Sequence, residues 1–222
     1  MTLLECTYET LSNDTLNKLR TAVYLATEPE RMGGASPYHF TFWYDLAARP
    51  RNTVEEVVQG NLRQHVPETV RQQAIGVEWW LGRLSAPYAA NFEFGVHRDF
   101  GEHPDTDELE SPLLSSVFYL TTVDDGPLTV FPGLPNLQDE AKEYVLPQEN
   151  LFVKFPGHLW HAVLSRQEVL GVAPSLPEHR LRLTVLVNWW VYRPGSEASA
   201  PMKLVAADYD GTRYPELRSA VG

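Results

Sequence analysis

The chain has 222 residues, of which 43% are hydrophobic, 11% aromatic and 21% charged, a balance that suits one domain with a sizeable core and excludes a disordered chain. Its formal net charge of -11 makes a nucleic-acid partner unlikely, because phosphate binding relies on Lys and Arg displacing counterions. The apolar runs stop short of membrane-spanning length, and Met1 to Glu5 lack the basic start and apolar stretch of a signal peptide, so a cytoplasmic protein without membrane association is expected.

In chain order, Cys6 comes first. As the single cysteine it has no internal disulfide partner, and its distance in sequence from any His/Asp group marks it as structural or surface rather than catalytic. Residues 11–26 carry Leu16, Leu19, Val23 and Leu25 behind Ser12, Asn13 and Asp14, which predicts a packed helix with a polar cap. The aromatic run 38–44 reads as a strand or a pocket wall. A second helix is expected from about residue 52, with Thr53 and Glu56 at capping-box spacing and Val57, Val58 and Leu62 on its apolar face, until Pro67 interrupts it. A short helix then extends to Gln73.

From Ala74 onward the texture changes to short β-type runs at 76–84, 90–97, 115–122, 128–131, 151–155, 160–165 and 181–192, separated by Gly, Pro and Asp. Such spacing predicts a sandwich or barrel. The chain therefore divides into an N-terminal helical part over about 1–73, a β core over about 74–193 and a tail over 194–222, all within one domain. The tail looks loop-like, with a minor element expected over 209–214.

Chemistry concentrates around Gly95-Val96-His97-Arg98-Asp99. On an extended segment alternate side chains share a face, so His97 and Asp99 can reach one ion. An imidazole and a carboxylate suit a divalent first-row metal, and a second imidazole completes a facial triad with open positions. His161, in Phe155-Pro156-Gly157-His158-Leu159-Trp160-His161-Ala162-Val163, is the natural third ligand, with His158 as the alternative. After Asp99 comes an acidic, Pro-containing loop with Glu102, Asp105, Asp107, Glu108 and Glu110, either a solvated loop or a lid favouring a cationic substrate. His103 and His179 fall in polar loop contexts. In the pairs Trp79-Trp80 and Trp189-Trp190, adjacent residues on a strand face opposite sides, so one member of each can look into a cavity.

The full order is Gly-Val-His-x-Asp, then strands, Gly-Pro-Leu-Thr-Val-Phe, Phe-Pro-Gly-x-x-x-His-x-Val, and an Arg opening a strand. It resembles the Fe(II)/2-oxoglutarate-dependent oxygenase superfamily, particularly its prolyl-hydroxylase-like branch, over about residues 77–192. The resemblance implies a mainly β fold, a double-stranded β-helix (jelly roll) with the N-terminal α-helices outside the larger sheet. It implies iron on His97, Asp99 and His161, 2-oxoglutarate and O2 as cosubstrates, and ascorbate as a candidate reductant. The same resemblance implies an Arg for the far carboxylate of 2-oxoglutarate. Arg180 and Arg182 share strand parity, and Arg180 is preferred because Leu183 and Thr184 follow it at the family's spacing. Asn188 has the same parity and is a candidate pocket residue.

The implied activity is hydroxylation coupled to conversion of 2-oxoglutarate into succinate and CO2. Asp99 occupies the position that is small in the superfamily's halogenases, which argues against halogenation; desaturation and ring formation stay open. The nucleic-acid demethylase branch is disfavoured, since position 186 is Leu186 where that branch carries a second Arg. A small molecule such as an amino acid or biosynthetic intermediate is the expected substrate, with a peptide or protein residue as the alternative. From another class, a cupin-like metal-binding protein or a 2-oxoglutarate sensor without turnover is the rival. The sequence leaves the oligomeric state open.

Overall fold

The computed structural model describes residues 2–85, 95–106, 108–138, 140–173, 181–195 and 207–218. Arg180, His179, Asp107 and most of the strand expected over 90–97 lie outside them. The strands are β1 (Glu5–Thr7), β2 (Thr41–Asp45), β3 (Gly76–Ser85), β4 (Gly101–Glu102), β5 (Leu109–Glu110) and β6 (Leu114–Tyr119). They continue with β7 (Leu128–Phe131), β8 (Glu143–Val145), β9 (Leu151–Pro156), β10 (Trp160–Val163), β11 (Leu181–Trp190) and β12 (Ala207–Asp208). The α-helices are α1 (Asn13–Ala26), α2 (Pro29–Met32), α3 (Thr53–Val57), α4 (Glu68–Gln73) and α5 (Arg166–Leu170).

A main sheet of order β1-β9-β6-β11-β3-β2-β12 opposes a smaller one of order β10-β7-β8, and β4 with β5 forms a separate hairpin. This is the mainly β jelly roll expected from the sequence. The main sheet also takes β1, β2 and β12 from outside the 74–193 core. Its two faces follow from strict alternation along β3 and β11. Val77, Trp79, Leu81, Leu183, Val185, Val187 and Trp189 join Leu16, Leu19, Val23, Val54, Val57 and Val58 in one core under the helices. On the opposite face Val117, Tyr119, Val153 and Phe155 pack on Leu128 and Val130 of the small sheet. Trp80 sits on this concave side with Tyr38, Leu84 and Val123, so each tryptophan pair does split between the two faces.

Local signals explain the helix ends. Ser12 caps α1, its side chain accepting from Thr15 N–H. At α3 the expected box on Thr53 and Glu56 is replaced by Asn52, whose side chain accepts from Glu55 N–H; Asn52 is fully buried and holds the cap one residue earlier. The helix then loosens into a π-helical turn over Val58–Leu62. The strand pair β4 and β5 lies inside the acidic loop, a feature its charge conceals. Among the described residues, no helix is long and apolar enough to cross a membrane.

Candidate metal centre

His97 lies just before the acidic hairpin, and His161 lies on β10, the edge strand of the small sheet. The two residues form an antiparallel bridge, His97 N–H donating to His161 C=O at 3.0 Å and His161 N–H donating to His97 C=O at 2.8 Å. That exchange sets the imidazoles side by side, with ring centroids 4.4 Å apart. Arg98, of opposite parity, turns away, and its guanidinium covers the Trp160 ring at 4.9 Å. Asp99 returns to the side of His97 as strand alternation requires.

One ligand atom from each of His97, Asp99 and His161 lies within 4.8 Å of the others. Asp99 and His161 are buried, while His97 is partly open. His97 Nε2 is 4.0 Å from Asp99 Oδ1, and His161 Nε2 is 3.7 Å from Asp99 Oδ2. The Nδ1 atoms face carbonyls, Gly95 C=O at 2.7 Å and Leu159 C=O at 3.1 Å. A carbonyl only accepts, so each Nδ1 carries the proton and each Nε2 presents a lone pair to the shared point. Ser115 Oγ donates to Asp99 Oδ2 at 2.9 Å, fixing the carboxylate. Such outer hydrogen bonds orient ligands for a metal, and the donor set fits a divalent first-row ion. His158, the alternative read from the sequence, is exposed and lies outside this group.

Further along the concave face, Arg182 is 1% exposed. Its Nη1 donates to Tyr38 Oη at 3.4 Å, and the guanidinium lies 5.3 Å from the centroid of the Tyr119 ring. Tyr119 Oη and Thr184 Oγ1 are buried without a hydrogen bond of normal geometry. Burial raises the Tyr119 and Tyr38 phenols, opposed by the Arg182 charge, so both remain protonated donors at neutral pH. At Gly82 a Cβ would collide with Thr184 Oγ1 and lie 2.6 Å from Tyr38 Oη; the missing side chain leaves these hydroxyls their place. A buried cation ringed by hydroxyls fits the carboxylate of a small dicarboxylic acid.

A Pseudomonas putida prolyl-4-hydroxylase superposes with a TM-score of 0.52 at 17% identity, covering 84% of this chain and 91% of that chain. Iron-bound HygX from Streptomyces hygroscopicus gives 0.52 at 13% identity, covering 97% and 95%. The truncated viral collagen prolyl hydroxylase vCPH from Paramecium Bursaria Chlorella virus-1 gives 0.50 at 11% identity, covering 85% and 89%. The chain has the fold of the Fe(II)/2-oxoglutarate oxygenases. No protein-family model matches the sequence, and no curated protein matches it. Ser115, Tyr119 and Tyr38 lie beside the candidate residues Asp99 and Arg182, and motif reading passed over them. Strand parity would have found the first two, since both share the concave face of β6 with Val117.

Proposed function

We propose that this chain is a cytoplasmic non-haem Fe(II)- and 2-oxoglutarate-dependent dioxygenase that hydroxylates a small molecule such as an amino acid or biosynthetic intermediate. The observation that carries the reading is the convergence of His97, Asp99 and His161 within 4.8 Å, with both imidazoles oriented through Nδ1. These three residues would hold the ion on one side and leave its other positions open. Arg182, with Tyr119 and Thr184, would hold the far carboxylate of 2-oxoglutarate. Bound there, iron, 2-oxoglutarate and O2 supply an oxidant for a substrate C–H bond, with succinate and CO2 as coproducts.

The rest of the concave face favours this use. Trp80, Leu84 and Val123 pack with Tyr38 and keep water from the inner end, which strengthens the charge pairing there. At the other end Gly101 of the hairpin packs on Trp190 and Pro194, narrowing the approach in a way that suits a small molecule. The test is Fe(II)-dependent formation of succinate from 2-oxoglutarate, measured across amino acids and related metabolites and coupled to a product heavier by one oxygen. Succinate formation that is no greater than in Asp99→Ala would refute the proposal.

A further inference from the structure

Strand register places a second polar group on the concave face. Trp43 pairs with Glu78, Glu78 with Asn188, Asn188 with Ser115, and Ser115 with Phe155. One row of side chains therefore crosses the neighbouring strands β2, β3, β11, β6 and β9. The row reaches the metal centre at Ser115, which bonds Asp99, and at Phe155, whose ring lies 4.8 Å from that of His161. Glu78 stands two strands from Ser115, roughly 10 Å at ordinary strand spacing.

Glu78 is 4% exposed and Asn188 1%. Among the described residues none forms an ion pair or hydrogen bond with the Glu78 carboxylate. Asn188 Nδ2 and Trp190 Nε1, both buried, have no partner either. The Glu78 carboxylate has no counter-charge beside it among the described residues, and two unmatched buried donors on the same stretch of the face, Asn188 Nδ2 and Trp190 Nε1, are more than a sheet interior tolerates by default. Beside them Trp43 and Trp190 pack together with Tyr192, and indole faces attract cations.

We infer that Glu78 receives a protonated amine of the substrate, beside the indole wall of Trp43 and Trp190, with Asn188 Nδ2 donating to an acceptor on the same molecule. The inference rests on the small-molecule oxygenase reading and names its substrate class: an amine-bearing compound that is cationic at neutral pH. The negative hairpin fits the same sign of charge, with Glu102, Asp105, Glu108 and Glu110 among its residues.

The test uses the full chain and n-butylammonium as probe, with butan-1-ol and butyrate as length-matched controls, titrated by ligand-observed NMR. The ammonium should bind about tenfold more tightly than the alcohol, the scale of one charge-assisted hydrogen bond, and butyrate should bind least. Glu78→Gln should erase that preference. Equal binding of ammonium and alcohol to the unaltered protein would overturn the inference, as would a folded Glu78→Gln protein that keeps the preference. The comparison on the unaltered protein decides the matter alone if the variant does not fold. A Gly-Gly-Lys-Gly-Gly peptide presents the same ammonium on a polypeptide; binding tighter than that of the free amine would overturn the small-molecule source. The titration needs neither iron nor turnover, so failure of the oxygenase reading shows separately, as absent Fe(II)-dependent succinate formation.

Discussion

His97 and His161 exchange both backbone hydrogen bonds, at 3.0 and 2.8 Å, so two side chains far apart in sequence are fixed by main-chain geometry before any ion arrives. Ala at His97, Asp99 or His161 should leave the fold intact, because the bridge is made by backbone, and should abolish stoichiometric Fe(II) binding. Anaerobic equilibrium dialysis with circular dichroism checks both halves; normal iron binding in all three variants would remove the assignment.

Ser115→Ala removes the donor to Asp99 Oδ2 without touching a ligand. Iron affinity should fall about 10- to 100-fold, the usual effect of losing an outer-shell partner. Ser115→Thr should recover most of it. A structural role alone would lower the melting temperature and leave affinity unchanged.

Arg182→Ala should raise the apparent 2-oxoglutarate requirement about 10- to 100-fold, the scale of one or two charge-assisted bonds, with little change in iron affinity. Arg180→Ala should be milder. The reverse order in a 2-oxoglutarate titration would transfer the role to Arg180.

The buried phenols set the alkaline limit of stability. Tyr44 and Tyr209 are pushed up to about 12, chiefly by burial, whereas an unfolded tyrosine titrates near 10. Below pH 10 the phenols are neutral in both states and the contribution is complete. Between about 10 and 12 only the unfolded chain loses protons, so stability must fall with rising pH. Urea midpoints at pH 8, 9, 10 and 11 should be flat over the lower pair and decline beyond it.

Neutralising Glu102, Asp105 and Asp107 together should weaken capture of a cationic substrate while leaving 2-oxoglutarate binding intact. Added salt should mimic the loss, since exposed charges are screened over about 8–10 Å. Salt-independent kinetics that are unchanged in the triple variant would make this a solvated hairpin only.

Much of the metal site was legible because it obeys a short-range rule. His97 and Asp99 are two apart on extended chain, and alternation alone puts them on one side. Strands such as Leu128–Phe131 were legible for the same reason. Where the deciding partner is distant in sequence, local reading failed. Nothing around Glu5–Thr7 says that it pairs with β9, and the polarity of Ser115 reads as surface until Asp99 is seen beside it. Glu78 sits between Val77 and Trp79, and only the register of three strands shows which side chains it joins.

β11 works as a measuring rod. Arg182, Thr184, Asn188 and Trp190 project from one side of it, with Leu186 between the two polar pairs. At about 3.3 Å per residue Arg182 stands roughly 20 Å from Asn188 and about 26 Å from Trp190, beyond the range of about 7–10 Å over which substitutions usually interact. Changes at Asn188 or Trp190 and changes at Arg182 should therefore combine additively. A lineage, or an engineer, could retune the far end of this strand for a new molecule and inherit the near end unaltered.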